Sequence, residues 1–203
     1  MKLHWSPRSP FVRKVMVCAH ELGLVERIEK VRSVVAMSRP NPEVMRDNPL
    51  GKLPTLVLDD GTVLYDSPVI CEYLDALGGG KLYPEKGAAR WQALRWHALG
   101  DGMLDVLILW RNQRDEPVER QVREWLSGFA LKMEKSLGAI EAELPALRQA
   151  PFGIGHAAIG CALGYIDFRF PDMDWKKKHP AVAAWFEEIS QRPSMRETAP
   201  ALN

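Results

Sequence analysis

The sequence predicts an α+β protein with a mixed strand–helix half followed by an all-helical half. Within the first 78 residues a Ser-Pro pair twice opens an amphipathic helix, and short β-branched runs surround those helices. Three consecutive glycines lie at 78–80. Beyond them the sequence has helical periodicity and no strand pattern. We therefore expect a first domain at residues 1–78, a linker at 79–86 and a helical domain at 87–203.

The first helix follows a short predicted strand at residues 1–5. Apolar residues recur with helical spacing over 11–22, and Gly23 ends the pattern. Ser9 then takes the N-cap position and Pro10 the first helical position, where each is favoured. Because the first amides of a helix lack partners and carry partial positive charge, a hydroxyl at this point can stabilise an anion. Ser9 is either only a helix cap or a hydroxyl that stabilises a bound anion.

The remaining elements of the first half are a weak strand, a loop, a hairpin and a second helix. Residues 25–35 favour an edge strand, and the two prolines within 37–48 favour a loop with at most one short helix. Residues 53–58 and 62–65 flank an Asp-Asp-Gly turn and predict a β-hairpin. Pro54 near the start of its strand is a candidate for a cis peptide bond.

The second helix begins, like the first, with a Ser-Pro pair. Ser67 is the expected N-cap and Pro68 the first helical residue, ahead of an apolar stripe that ends at the glycine triplet.

The second half contains four predicted helices and an irregular tail. The helices are expected at 88–111, with a bend at the Gly-Asp-Gly of 100–102, and at 117–144, 154–168 and 180–191. Pro145 is expected to end the second of them, and the tail begins near Arg192.

Composition excludes several functional classes. The chain has 203 residues, 46% hydrophobic and 26% charged, with a formal charge of +1. This balance gives no electrostatic reason to expect a nucleic acid or an anionic membrane as partner. No apolar run approaches the ~18 residues of a membrane span, and no signal peptide is recognisable, so we expect a cytoplasmic protein. Three scattered cysteines and five histidines without ligand spacing predict neither disulfide nor metal site.

Four segments carry a resemblance to a known family. They are Ser9-Pro10-Phe11 with Lys14-Val15, Asn48-Pro49-Leu50-Gly51-Lys52-Leu53-Pro54, Asp66-Ser67-Pro68, and the apolar helix around Gly160-Cys161-Ala162-Leu163-Gly164-Tyr165. In this order and spacing the chain resembles the cytosolic glutathione S-transferases, and among them the bacterial serine-type members. The resemblance covers nearly the whole chain. It implies a thioredoxin-like first domain, glutathione as cosubstrate, a cytoplasmic homodimer and a role in detoxification.

The resemblance also implies roles for individual residues. Ser9, with Ser6 as the alternative, would donate a hydrogen bond to the glutathione sulfur and hold it as thiolate. The glutathione-binding residues would be Ser9, Phe11, Lys52, Leu53, Pro54, Asp66 and Ser67. The main chain of Leu53 would pair with the cysteinyl backbone, and Asp66 with Ser67 would hold the γ-glutamyl group. Lys52 would reach the glycyl carboxylate.

The electrophile would meet residues of the helical half. We expect this acceptor pocket to involve Met103, Leu107, Trp110, Arg111, Arg114 and Tyr165, and the acceptor to be small and mostly hydrophobic. Two other functions stay open: a glutathione-dependent thiol–disulfide or deglutathionylating enzyme, which normally needs a cysteine at the first helix start, and a non-catalytic regulatory protein.

One position departs from the family pattern. The core helix of family members usually begins with Ser or Thr followed three residues later by Asp, whereas this chain has Gly153 and His156. We expect a lost cap, at a typical cost of about 0.5–2 kcal/mol.

Overall fold

The computed structural model describes residues 1–201 and divides into two compact units. The first unit is Met1–Ala93 together with the segment that begins at Pro193, and the second is Leu94–Arg192. The predicted linker, 79–86, lies within the first unit, and the predicted domain boundaries stay a prediction. Within residues 1–201 no helix is both long and apolar enough to cross a membrane.

The first unit is a four-stranded sheet with helices. Its elements are β1 (Lys2–Trp5), α1 (Pro10–Glu21), β2 (Glu29–Arg32), α2 (Pro42–Asp47), β3 (Thr55–Val57), β4 (Val63–Leu64) and α3 (Ser67–Leu77), and a 3-10 turn at Val25–Arg27 precedes β2. The strand order is β2-β1-β3-β4, with β1 and β2 parallel and the other pairs antiparallel. This four-stranded sheet with its helices confirms the thioredoxin-like first half that the resemblance implied.

Helices α1 and α3 pack against each other, and α3 also contacts β3. Between them and the sheet lies an apolar core of residues such as Leu3, Val15, Leu56 and Ile70. Two polar residues of α1 depart from the amphipathic pattern, which on its own would place Arg13 and Lys14 on the solvent face of the helix. Arg13 is 8% exposed and Lys14 is fully buried. Other elements pack against α1 from more than one side. They therefore cover a face of the helix that its apolar periodicity alone predicts to be exposed to water.

The second unit is helical, as predicted. Its helices are α4 (Gly87–Arg114), α5 (Arg123–Gln149), α6 (Ile154–Arg169), α7 (Trp175–Lys178) and α8 (Pro180–Ser190), with a 3-10 turn at Val118–Arg120. The residues of α4 up to Ala93 belong to the first unit. Helix α6 is buried from Ile154 to Ile166 and forms the centre of this unit. Its apolar residues surround it on all sides, which is the pattern of a buried helix.

Several helix bounds differ from the prediction. Helix α5 begins at Arg123 rather than at 117, α4 ends at Arg114 rather than at 111, and the short helix α7 was not predicted. Pro145 does not end α5, which continues to Gln149 with the proline inside it. The buried side chains of Leu144 and Leu147 continue the apolar stripe past the proline, and their burial offsets a backbone cost of about 3 kcal/mol. The tail is not wholly irregular, since it forms a short helix, α9 (Pro193–Glu197), in the first unit.

Tertiary contacts with α1 account for α9. The Nη2 group of Arg13 donates to the Met195 carbonyl at 3.2 Å, and the Ser194 hydroxyl donates to the Glu21 carboxylate. Five residues are too few to form a stable helix alone, and the sequence pattern therefore gave no signal for it.

The start of α6 bears out half of the expected lost cap, because Gly153 at the N-cap makes no side-chain capping hydrogen bond, while His156 supplies the other half. The backbone N–H of Gly153 donates to Nδ1 of His156 at 3.2 Å, and Nε2 of the same ring lies 2.9 Å from the Leu147 carbonyl. The histidine thus performs the half of the capping arrangement that Asp performs in the family pattern. Burial lowers the pKa of His156, which favours the neutral ring at neutral pH. Because Nδ1 accepts from Gly153, Nε2 carries the proton and donates to the Leu147 carbonyl.

Candidate functional site

The predicted glutathione-binding residues follow strand ends at one edge of the sheet. In the antiparallel pair β1–β3, His4 lies opposite Thr55, so the end of β1 meets the beginning of β3. In the pair β3–β4, Leu56 lies opposite Leu64, so β4 ends at this same edge. The segments that follow or precede these ends contain Ser9, the Leu53–Pro54 bond and Asp66-Ser67. The register alone therefore groups three separate sequence motifs.

Ser9 is the N-cap of α1 in an extended conformation. Its hydroxyl oxygen accepts from the Val12 N–H at 3.3 Å, and Pro10 is the first helical residue. A hydroxyl has one donor and two acceptor lone pairs, so accepting from Val12 leaves its proton available. The capping and donor roles are compatible in one side chain. Ser6 is three residues earlier, and its hydroxyl oxygen accepts from the Arg8 N–H at 3.4 Å.

The loop before β3 is held by Asn48, whose role the sequence analysis missed. The Asn48 side chain is buried, and it donates to the Lys52 carbonyl and the Thr55 hydroxyl and accepts from the Leu50 N–H. Gly51 has a φ of +61°, a conformation that favours glycine. The Leu53–Pro54 bond is cis, as the sequence suggested, and both of these side chains are buried. The Lys52 side chain is exposed.

The start of α3 differs by one residue from the expectation. Asp66, not Ser67, is the N-cap, and Ser67 is the first helical residue. The Asp66 side chain is exposed and makes no capping hydrogen bond, whereas Ser67 is only 1% exposed. A carboxylate and a hydroxyl thus stand together at a helix start, where backbone amides favour an anion. Phe11 is half-buried near the start of α1.

Four of the six predicted acceptor residues form two groups of contacts in the second unit. Nη1 of Arg111 donates to the buried Tyr165 hydroxyl at 3.1 Å. The rings of Trp110 and Phe170 lie 5.0 Å apart, and the Arg114 guanidinium stacks 4.5 Å from the Phe170 ring. Phe170 was not identified from the sequence, because it follows the apolar stripe of α6.

The two other predicted acceptor residues are core residues of the second unit. Met103 and Leu107 are almost fully buried in α4. Their contact with an acceptor stays a prediction.

The structure also describes the three cysteines and the arrangement of potential metal ligands. Cys18, Cys71 and Cys161 are all buried. Across residues 1–201 no group of three or more potential side-chain ligands is placed to hold a metal ion. A nucleophilic cysteine is normally a thiolate in a partly exposed, electropositive position, which none of these three occupies.

The fold consists of a thioredoxin-like unit, whose candidate site lies at one sheet edge, and an all-helical second unit. This combination of units defines the class of protein. The family model described as "Glutathione S-transferase, N-terminal domain" matches residues 8–77. The model described as "Glutathione S-transferase, C-terminal domain" matches residues 123–188. The chain belongs to the cytosolic-type glutathione S-transferase family.

Two solved structures of one relative, and one further relative, illustrate the similarity. A glutathione transferase family member from Pseudomonas fluorescens Pf-5, crystallised with bound glutathione, is 44% identical with a TM-score of 0.95, over 99% of both chains. A second structure described in the same way contains S-(propanoic acid)-glutathione and gives 44% identity and a TM-score of 0.91, over 98% of this chain and 99% of that one. The uncharacterised GST-like protein YibF of Escherichia coli K12 is 29% identical, over 98% of each chain.

Proposed function

We propose that this protein is a glutathione S-transferase that activates glutathione as a thiolate and transfers an alkyl or aryl group to its sulfur. The observation that carries the proposal is the strand register. It groups Ser9, the cis Leu53–Pro54 bond and Asp66-Ser67 at one sheet edge. The glutathione bound to a relative of 44% identity supports the same ligand here.

The proposed chemistry needs a thiolate, and the start of α1 can stabilise one. An ordinary thiol has a pKa of about 8.5, and lowering it by about two units takes roughly 2.7 kcal/mol. A hydrogen bond to a charged group contributes about 1.5–3 kcal/mol, and a helix N-terminus about 0.3–1 kcal/mol. One hydroxyl and one helix start are therefore sufficient without a general base. Ser9 is our proposed donor, and Ser6 is the alternative.

The other contacts follow the groups that glutathione presents. Leu53 would pair its backbone with the cysteinyl residue, beside Pro54. Asp66 would accept from the γ-glutamyl ammonium, and Ser67 with the start of α3 would hold the γ-glutamyl carboxylate. The exposed Lys52 ammonium would bind the glycyl carboxylate.

The second unit and the quaternary state complete the proposal. Met103, Leu107, Trp110, Arg111, Arg114 and Tyr165 stay the proposed acceptor contacts. A cytoplasmic homodimer is the expected assembly, and exposed apolar side chains such as Trp91 and Leu131 give it surface to bury. Light scattering should then give twice the mass of one chain.

The test is the Ser9→Ala variant, assayed with glutathione and an aryl halide. Loss of a hydrogen bond to a thiolate should lower kcat/KM by about 10- to 100-fold and return the pKa of bound glutathione towards about 8.5. Loss of the cap should cost about 0.5–2 kcal/mol of stability, which a separate unfolding measurement detects.

Two control variants make the result specific. Ser9→Thr keeps both the hydroxyl and the cap and should retain most of the activity. Ser6→Ala should have little effect; if it abolishes turnover while Ser9→Ala does not, Ser6 is the donor. Absence of glutathione binding at millimolar concentration in calorimetry would instead favour a non-catalytic protein.

A further inference from the structure

His4 is a buried side chain that takes no part in the proposed glutathione contacts. It lies in β1 and is 9% exposed. Its neighbour Leu3 points into the core, so His4 points to the opposite face of the sheet. Its Nε2 lies 2.7 Å from Oδ2 of Asp47, the last residue of α2, and its Nδ1 lies 3.0 Å from the Ser33 hydroxyl oxygen. Because an ionised carboxylate only accepts hydrogen bonds, Nε2 donates to Asp47.

Burial excludes a nucleophilic role for the hydroxyl of this cluster. Asp47, His4 and Ser33 have the order carboxylate, imidazole and hydroxyl, in which a hydroxyl can be activated for attack. Ser33, however, is 6% exposed, and its hydroxyl donates to the Val31 carbonyl at 3.2 Å. A nucleophile has to reach its substrate. The cluster is therefore a link between α2 and the strands.

Helix α2 depends on contacts of this kind, because it is short and largely exposed. Val44 is buried, whereas Met45 and Arg46 are exposed. Six residues are too few for a stable isolated helix, so contacts with the sheet have to hold α2 in place. A carboxylate at the C-terminal end of a helix is disfavoured by the helix dipole, and Asp is a poor helix former. Asp47 therefore stabilises α2 through His4 rather than through the helix itself.

The contact fixes one end of the loop at residues 48–54, which contains the proposed glutathione-binding residues 52–54. This loop starts directly after Asp47, whose carboxylate accepts from His4. It ends at Thr55, which lies opposite His4 in the pairing of β1 with β3. Both ends of the loop are therefore held at the same position of β1.

Hydrogen bonds inside the loop connect its two ends. The Asn48 side chain donates to the Lys52 carbonyl at 3.3 Å and to the Thr55 hydroxyl at 3.0 Å. The Thr55 hydroxyl donates to the same carbonyl at 2.9 Å. The Lys52 carbonyl and the Leu53 N–H belong to one planar peptide group, so these two hydrogen bonds fix the direction of the Leu53 N–H. A shift of α2 would displace Asn48 and release that direction.

We propose that His4 and Asp47 are positioning residues for glutathione, because their contact anchors α2 to β1 and keeps the Leu53 N–H directed at the cysteinyl residue. This inference rests on the proposed transferase function and adds two residues to its site. A loop that is ordered beforehand avoids the cost of ordering when the ligand binds. Loosening the loop lowers the fraction of binding-competent protein, and the apparent dissociation constant rises in inverse proportion. Once glutathione is bound the site is the same, so kcat is unaffected.

The first experiment compares Asp47→Ala with Glu43→Ala, which removes a carboxylate from an exposed position of the same helix. Asp47→Ala should raise the dissociation constant and the KM for glutathione about 10-fold, as the loss of one charge-assisted hydrogen bond allows, with kcat unchanged. Glu43→Ala should leave all three within about two-fold of the wild type. Glutathione is a net anion at neutral pH, so the loss of negative charge alone would strengthen its binding. The charge effect and the positioning effect thus have opposite signs.

A double-mutant cycle tests whether the two residues act together. His4→Gln should raise the KM for glutathione by a similar factor, and His4→Gln with Asp47→Ala by no more than the larger single effect. Asp47→Asn keeps an acceptor for Nε2 and should raise the KM about three-fold, which keeps the test open if Asp47→Ala fails to fold. Additive effects of the two substitutions would overturn the proposal. So would a loss of kcat at an unchanged KM, or an unchanged KM in Asp47→Asn when Asp47→Ala is unfolded.

Hydrogen exchange reports on the loop without any ligand. The Leu50 N–H donates to the Asn48 side chain and the Gly51 N–H to the Asn48 carbonyl. Asp47→Ala should speed the exchange of both amides about 10-fold and leave the amides of α3 unchanged. Equal exchange of these loop amides in Asp47→Ala and the wild type would show that the contact does not anchor the loop.

The binding results separate this inference from the proposed function. If the wild type binds no glutathione in calorimetry, the transferase function is refuted and the positioning role falls with it. If the wild type binds glutathione and Asp47→Ala binds it equally well, the positioning role alone is refuted.

Discussion

Gly100 and Gly102 of α4 offer a matched test of the packing in the second unit. An ideal Cβ on Gly100 would lie 2.5 Å from the Ala158 carbonyl carbon and 2.7 Å from the Ile159 nitrogen, both in the backbone of α6. An ideal Cβ on Gly102 would meet nothing within 4 Å. Because carbon atoms in contact prefer about 3.5–4.0 Å, Gly100→Ala requires the two helices to separate by about 1 Å. The backbone cannot rotate away as a side chain can.

The two substitutions therefore have opposite expected effects. Alanine is favoured over glycine in a helix interior by about 0.8–1 kcal/mol, so Gly102→Ala should stabilise the protein by up to that amount. At Gly100 the same gain is outweighed by overpacking, and we expect a net loss of about 1–3 kcal/mol. Urea unfolding followed by tryptophan fluorescence measures both values under identical conditions. If Gly100→Ala is as stable as Gly102→Ala, the close approach of α4 to α6 is wrong.

Two other predictions concern buried polar groups. Burial lowers the pKa of His156, so below about pH 6.5 the unfolded chain binds a proton that the folded chain does not, and stability falls as the pH falls. His156→Gln should therefore show a smaller loss of stability than the wild type between pH 7.5 and 5.5; equal losses in urea unfolding would contradict this origin. The Asp75 carboxylate accepts from the backbone N–H groups of Lys81, Leu82 and Tyr83. Asp75→Ala should cost about 2–5 kcal/mol and Asp75→Asn less, as measured by the same unfolding assay, and a neutral Asp75→Ala would mean that water replaces the carboxylate.

Local patterns predicted the elements whose stability is decided within a few residues. Ser9 and Pro10 specify the start of α1 through cap chemistry and a fixed φ, and the structure has the helix beginning there. The hairpin and the helix at residues 67–77 were predicted in the same way. Their observed bounds differ by one to two residues, because the last pairs of a strand depend on neighbours rather than on the turn.

The errors occur where a distant neighbour decides the outcome. Pro145 is a helix breaker in isolation, and only the burial of the apolar stripe on both sides of it keeps α5 continuous. The close contact of Gly100 with α6 was not predicted, because a glycine needed for a close helix approach has the same sequence signal as one at a bend. The bend itself stays a prediction. His156 was expected to weaken a cap that it supports, since a neutral ring nitrogen accepts a hydrogen bond only in a suitable buried environment.

The amino-acid sequence by itself determined the fold class, the two Ser-Pro helix starts and the three motifs of the candidate site, because each depends on residues adjacent in the chain. The tertiary structure decided that those motifs share one sheet edge, since strand register relates residues about fifty positions apart. It also decided the surroundings of Arg13, whose guanidinium is buried and donates to the Met195 carbonyl of the C-terminal segment. The helical periodicity of a sequence predicts which way a side chain points but not which distant residues cover it.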